Sequence, residues 1–95
     1  MRPYELTLIV RPDIEGENLT AVVDRVKNLV TGGGGQVTEV NAWGRRQLAY
    51  PINRVTEGQY FWMQASMPAR IIAGLERDLR LTEQIVRFLI VRADE

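Results

Sequence analysis

Along this chain the apolar residues repeat with a period of two, then of about 3.6, then of two again, and the order of those changes leaves few architectures open. Residues 2–10 alternate, with Tyr4, Leu6, Leu8 and Val10 on one side and Glu5, Thr7 and Ile9 on the other, as in a half-buried strand. Arg11-Pro12-Asp13 breaks the pattern. From Glu17 or Asn18 onward, Leu19, Val22, Val23, Val26, Leu29 and Val30 recur at helical spacing and give one apolar stripe. Gln36 to Ala49 is expected to form a second, long strand closed by Pro51, with Asn53 to Gly58 a polar connection. Gln59 to Met67 (QYFWMQASM) reads as a third strand, rich in aromatics. Pro68 suits the first turn of a second helix, whose stripe is Ile71, Ile72, Leu75 and Leu79. Ile85 to Val91 (IVRFLIV) is almost continuously apolar, as expected of a strand covered over much of its length.

The order β-α-β-β-α-β is that of an α+β, ferredoxin-like (split βαβ) fold. It implies a four-stranded antiparallel sheet in the order 4-1-3-2, with two helices on one face and the other face left available. Ninety-five residues suffice for one such domain, spanning 1–95.

The stretch WGRRQLAYPI, residues 43–52, raises its own question. Successive side chains of a strand point to opposite faces, so Arg45 and Arg46 should diverge, one of them towards the face of Leu48, Tyr50 and Ile52, which reads as core. Gly44 offers an escape, a bulge that frees both arginines from strict alternation. The run Gly32 to Gly35 has the look of a phosphate loop. It follows a helix instead of preceding one, however, and no Lys-Ser/Thr comes after it. A helix C-cap and turn is the plainer reading.

Chemistry is sparse. The chain has no cysteine and no histidine, which removes thiol and imidazole catalysis and zinc-finger ligation. Glu15 with Glu17 lies in a loop, Asp94 with Glu95 at the tail, and Glu76 and Asp78 lie beside Arg77 and Arg80 on a solvated helix face. No carboxylates are spaced as a calcium loop, and neither a metal nor a cofactor is expected. An acylphosphatase-like hydrolase would need a loop arginine aimed at phosphate, and Arg11 before Pro12 is a poor candidate. No apolar run is long enough to span a membrane, and MRPYELTLIV reads as the first strand, not as a targeting segment.

Binding is better represented. Twelve basic residues balance twelve acidic ones, so strong stand-alone binding to nucleic acid is not expected, although a local basic patch or a site shared with a basic partner remains open. Eleven of the twelve cations are arginines, the residue suited to planar phosphate contacts. Arg2 and Arg92 are expected at adjoining strand ends, and with Arg87 they suggest a phosphate clamp. On the third strand, Phe61 shares a face with Met63, Ala65 and Met67, while Tyr60 and Trp62 share the other. One set should be core and the other half exposed, and alternation alone does not choose. Tyr4 falls in register with Leu6 and Leu8 and reads as core.

MRPYE at the start, WGRRQLAYPIN at 43–53, the aromatic third strand and the arginine-punctuated last strand together resemble the bacterial small-subunit ribosomal protein six family, in order and over essentially the whole chain. The resemblance implies a non-catalytic, cytoplasmic ribosomal component, with an organellar ribosome left open. Such a component binds the central domain of the small-subunit ribosomal RNA together with small-subunit ribosomal protein eighteen, a strongly basic partner. It implies no small-molecule substrate. Carried onto this chain, Arg2, Arg87 and Arg92 are the RNA-binding candidates, followed by Arg45 and Arg46. Gln47, Tyr60 and Trp62 are candidates for the protein partner's surface, and Leu48, Tyr50 and Pro51 read as scaffold. The alternative, from a different class, is a self-associating ferredoxin-like regulatory domain that holds a small ligand in an apolar pocket between two copies.

Overall fold

A computed structural model describes residues 1–52 and 55–93. Strand β1 (Arg2–Val10) leads to helix α1 (Glu17–Gly32), strands β2 (Gln36–Ile52) and β3 (Val55–Met67), a 3-10 turn (Ala69–Ile71), helix α2 (Ile72–Arg80) and strand β4 (Ile85–Arg92). The sheet order is β2-β3-β1-β4, which is 4-1-3-2 read from the other edge, and every pairing is antiparallel. This is the ferredoxin-like α+β arrangement expected from the periodicity.

The core lies between one face of the sheet and the two helices. Tyr4, Leu6, Leu8 and Val10 of β1 meet Phe61, Met63, Ala65 and Met67 of β3, and above them pack Val22, Val23, Val26 and Val30 of α1 with Leu75 and Leu79 of α2. Each aliphatic side chain fully withdrawn from water stabilises by about 1.5–3 kcal/mol. The choice left open on the third strand is thereby made, since Phe61 is core and Tyr60 and Trp62 lie half-buried on the opposite face.

Helix α1 starts behind Gly16, whose φ of 62° lies in the left-handed region. It ends in the glycine run, where the N–H groups of Gly33, Gly34 and Gly35 donate to the carbonyls of Leu29 and Val30, Thr31, and Val30. Those donors are spent on capping the helix, so the glycines hold no row of free N–H groups for a phosphate.

Three expectations need correction. The β2–β3 hairpin is longer than expected, because β2 runs on past Ala49 through Pro51 to Ile52 and the residues from Val55 to Gly58 already belong to β3; Asn53 and Arg54 of the expected connection lie outside the described residues. Pro68 is not in the first helical turn but caps the 3-10 turn in an extended conformation. Strand β4 is an edge strand that alternates: Phe88 and Ile90 face the helices, while Leu89 and Val91, 59% and 43% exposed, lie on the uncovered face. The nearly continuous apolar run suggests cover over much of the strand, but the helices cover one face only.

Candidate functional site

Cross-strand partners in a sheet share a face, so the register fixes what the uncovered face presents. One row reads Val91, Glu5, Gln64, Glu39 from β4 to β2. The next reads Leu89, Thr7, Trp62, Asn41, and the third Arg87, Ile9, Tyr60, Gly44. Beyond it Arg46 stands opposite Gly58. The face is therefore polarised, with carboxylates at one end, an apolar and aromatic middle, and arginines at the other end. Four residues of strand separate Glu5 from Ile9, roughly 14 Å.

Both carboxylates are held by neighbours on the same face. The Trp62 indole Nε1–H donates to Glu5 Oε1 at 3.3 Å, and Asn41 Nδ2 donates to Glu39 Oε2 at 2.8 Å. An ionised carboxylate has room for about four hydrogen bonds, so acceptor capacity remains on each. In the middle, Trp43 and Tyr60 line a shallow cavity together with Arg46.

The bulge is real but lies earlier than the arginines. Register shifts between Ala42 and Gly44, where Gly44 has φ 84°, and this turns Trp43 out to 46% exposure. After it Arg45 and Arg46 alternate strictly, Arg45 opposite Gln59 and Arg46 opposite Gly58. Arg45 thus falls on the helix side, where its guanidinium donates to the Pro12 carbonyl at 2.6 Å and pairs with Glu57 at 3.2 Å. Gln59, buried next to it, donates from its amide to the carbonyls of Arg11 and Ile14. Together they fasten the hairpin to the β1–α1 connection. Arg46, on the uncovered face, makes no hydrogen bond or ion pair among the described residues.

A second irregularity, between Gln47 and Ile52, sets Leu48, Ala49, Tyr50 and Pro51 against a single residue of β3, Thr56. The segment does not form the core face expected of it: Tyr50 is 58% exposed and Leu48 half-buried, because the hairpin runs past the end of β1 and no helix lies over it. Tyr50 instead receives a 2.9 Å hydrogen bond from Arg87 Nη1 on β4.

The remaining candidates separate into two groups. Arg92 pairs with Tyr4, and Arg2 lies two residues before Tyr4, so both belong to the helix-side alternation at one end of the sheet, where Ala93 N–H also donates to the Pro3 carbonyl. Each has an interaction of its own. Arg87 lies five residues from Arg92 on the other face, so the three arginines do not form one clamp. Arg87 instead shares the uncovered face with Arg46, Tyr60 and Trp62, and Gln47 is exposed further along β2. Sequence reasoning missed Glu5, Glu39 and Trp43. The parity of Glu5 against Tyr4 was a usable signal, whereas Glu39 and Trp43 follow register shifts that alternation cannot count. Nor is this the double aromatic platform of RNA-recognition domains, since β1 offers Pro3, Glu5, Thr7 and Ile9 to this face and buries Tyr4 on the other.

Residues 3–92 match the family model described as Ribosomal protein S6. The chain is 39% identical over 95 residues to the Small ribosomal subunit protein bS6 of Moorella thermoacetica, covering 100% of this chain and 97% of the relative. It is 40% identical over 95 residues to the protein of the same name from Heliobacterium modesticaldum, covering 100% and 99%. The crystal structure of 30S ribosomal protein S6 from Thermotoga maritima superposes with a TM-score of 0.89 at 29% identity, covering 96% of this chain and 86% of that one.

Proposed function

The chain belongs to the ribosomal protein S6 family, and from that premise we propose that it is a non-catalytic, single-domain component of the small ribosomal subunit in the cytoplasm. It binds the central domain of the small-subunit ribosomal RNA jointly with small-subunit ribosomal protein eighteen. The observation that carries this reading is the polarity of the uncovered face. Its arginine end, Arg87 and Arg46, suits backbone phosphates. Its acidic end, Glu5 and Glu39, suits cationic side chains of a basic protein, and the Trp62, Tyr60 and Leu89 between them supply the apolar centre that a protein interface needs. Arg2 and Arg92, on the helix side at the carboxylate end of the sheet, form a second RNA contact separate from Arg87 and Arg46, and Gln47, beyond Arg46 on the helix side, lies outside the face the partner covers. A formal net charge of zero then follows from the division of labour, since the partner supplies much of the cation.

The alternative, a self-associating ligand sensor, needs an apolar pocket completed by a second copy, and a protein that stays monomeric in ultracentrifugation would exclude it. The test is a titration of a central-domain RNA fragment with this protein, alone and with the basic partner. Affinity should rise by more than about 10-fold when the partner is present, in keeping with the coupling between linked binding events. Equal binding with and without it would sink the shared-site reading.

A further inference from the structure

We propose that Tyr50 is a positioning residue for Arg87, holding its guanidinium to receive a backbone phosphate of the RNA. The proposal rests on the reading of Arg87 as an RNA contact. Strands β2 and β4 are the two edges of the sheet, three strand spacings apart, or roughly 14 Å. Two side chains on such strands meet when both long side chains lie along the face, and more easily when one strand leans over it. The extra residues Leu48 to Pro51 allow that: they lie outside the regular β2–β3 register, and Pro51 has no N–H to return to a ladder. From this segment the Tyr50 hydroxyl accepts a 2.9 Å hydrogen bond across the face from Arg87 Nη1.

The geometry of that bond favours a ligand. Nη1 is the nitrogen spent, which leaves the Nε–H and Nη2–H edge, the side-on fork that matches two phosphate oxygens. The Tyr50 oxygen accepts from Arg87 and keeps its own proton to donate. An incoming phosphate thus meets a guanidinium already turned outward, with less side-chain freedom left to lose on binding. A scaffold role for Tyr50 would not require its ring to be exposed, and the ring is.

The experiment compares wild type, Tyr50→Phe, Arg87→Gln and the double variant for binding a central-domain RNA fragment in the presence of the basic partner protein. Arg87→Gln should weaken binding about 10-fold, and Tyr50→Phe, which keeps the ring and removes the hydroxyl, about 3-fold. The double variant should bind no more weakly than Arg87→Gln alone, because the hydroxyl acts through the arginine. A Tyr50→Phe variant that binds as wild type, or that loses the same 3-fold with Arg87 already gone, overturns the positioning role while leaving Arg87 as an RNA contact. An Arg87→Gln variant that binds as wild type overturns the RNA reading of Arg87, and this inference with it. The Arg87 side chain supplies a separate readout: in the free protein the order parameter of its Nε–H group should fall in Tyr50→Phe, and an unchanged value overturns the ordering that the proposal requires.

Discussion

Arg45 stands opposite Gln59 and Arg46 opposite Gly58, so one step along the chain carries the same chemistry from a fastened site to an open one. Arg45 donates to Pro12 O and pairs with Glu57. Both sites are partly solvated, and the combined contribution to stability is about 1 kcal/mol. Arg46 makes no pairing among the described residues, which leaves its guanidinium to a ligand. Arg45→Gln should therefore lower the urea midpoint and leave RNA affinity in the presence of the partner unchanged. Arg46→Gln should do the reverse, with affinity down by about 5-fold from loss of one charged contact and its share of released counterions. A urea series on both variants, with RNA titrations at two salt concentrations, checks the pair. Strand alternation by itself makes the two arginines diverge, and the expected release of both by a bulge at Gly44 does not occur, because the register shift precedes them. Which of them faced out was not legible, because that depended on register shifts upstream and on a carbonyl in the β1–α1 connection that no local pattern announces.

At the level of elements, β1 and its neighbours were legible because each has one dry face, and a half-covered strand writes its alternation into the sequence. The hairpin beyond the sheet was not, since Leu48, Tyr50 and Ile52 alternate as a core face would, yet Tyr50 is exposed and Leu48 only half-buried. Gly58 marks where the two regimes meet. It is buried opposite Arg46, and a Cβ added there would collide with Cγ2 of Ile9, which is itself buried on the otherwise open face. Gly58→Ala should cost about 1–3 kcal/mol, as overpacking generally does. Leucine has no Cγ2, so adding Ile9→Leu should recover part of that loss, measured by chemical denaturation of the single and double variants. A Gly58→Ala protein as stable as wild type would mean that the strands separate freely at this point.

Taken whole, the molecule has no net charge but keeps its charges sorted on the face the helices leave bare. The carboxylate row and the arginine row lie roughly 14 Å apart, which exceeds the ~8 Å over which salt screens charges at physiological ionic strength. Each end should therefore act on its own ligand with little effect on the other's. Glu39 is exposed on edge strand β2 and is not part of the core, so Glu39→Lys should fold normally while reversing the sign of one corner of the acidic end. Association with the basic partner, measured by calorimetry without RNA, should weaken about 10-fold, mainly through slower encounter and with a shallower dependence on salt. Binding of the RNA fragment by the variant alone should stay close to wild type, because the added cation lies beyond screening distance of Arg46 and Arg87 and on the opposite face from Arg2 and Arg92. If Glu39→Lys instead left the partner's affinity intact and strengthened RNA binding, the acidic end would be facing phosphate, and the division of the face between protein and RNA would have to be reversed.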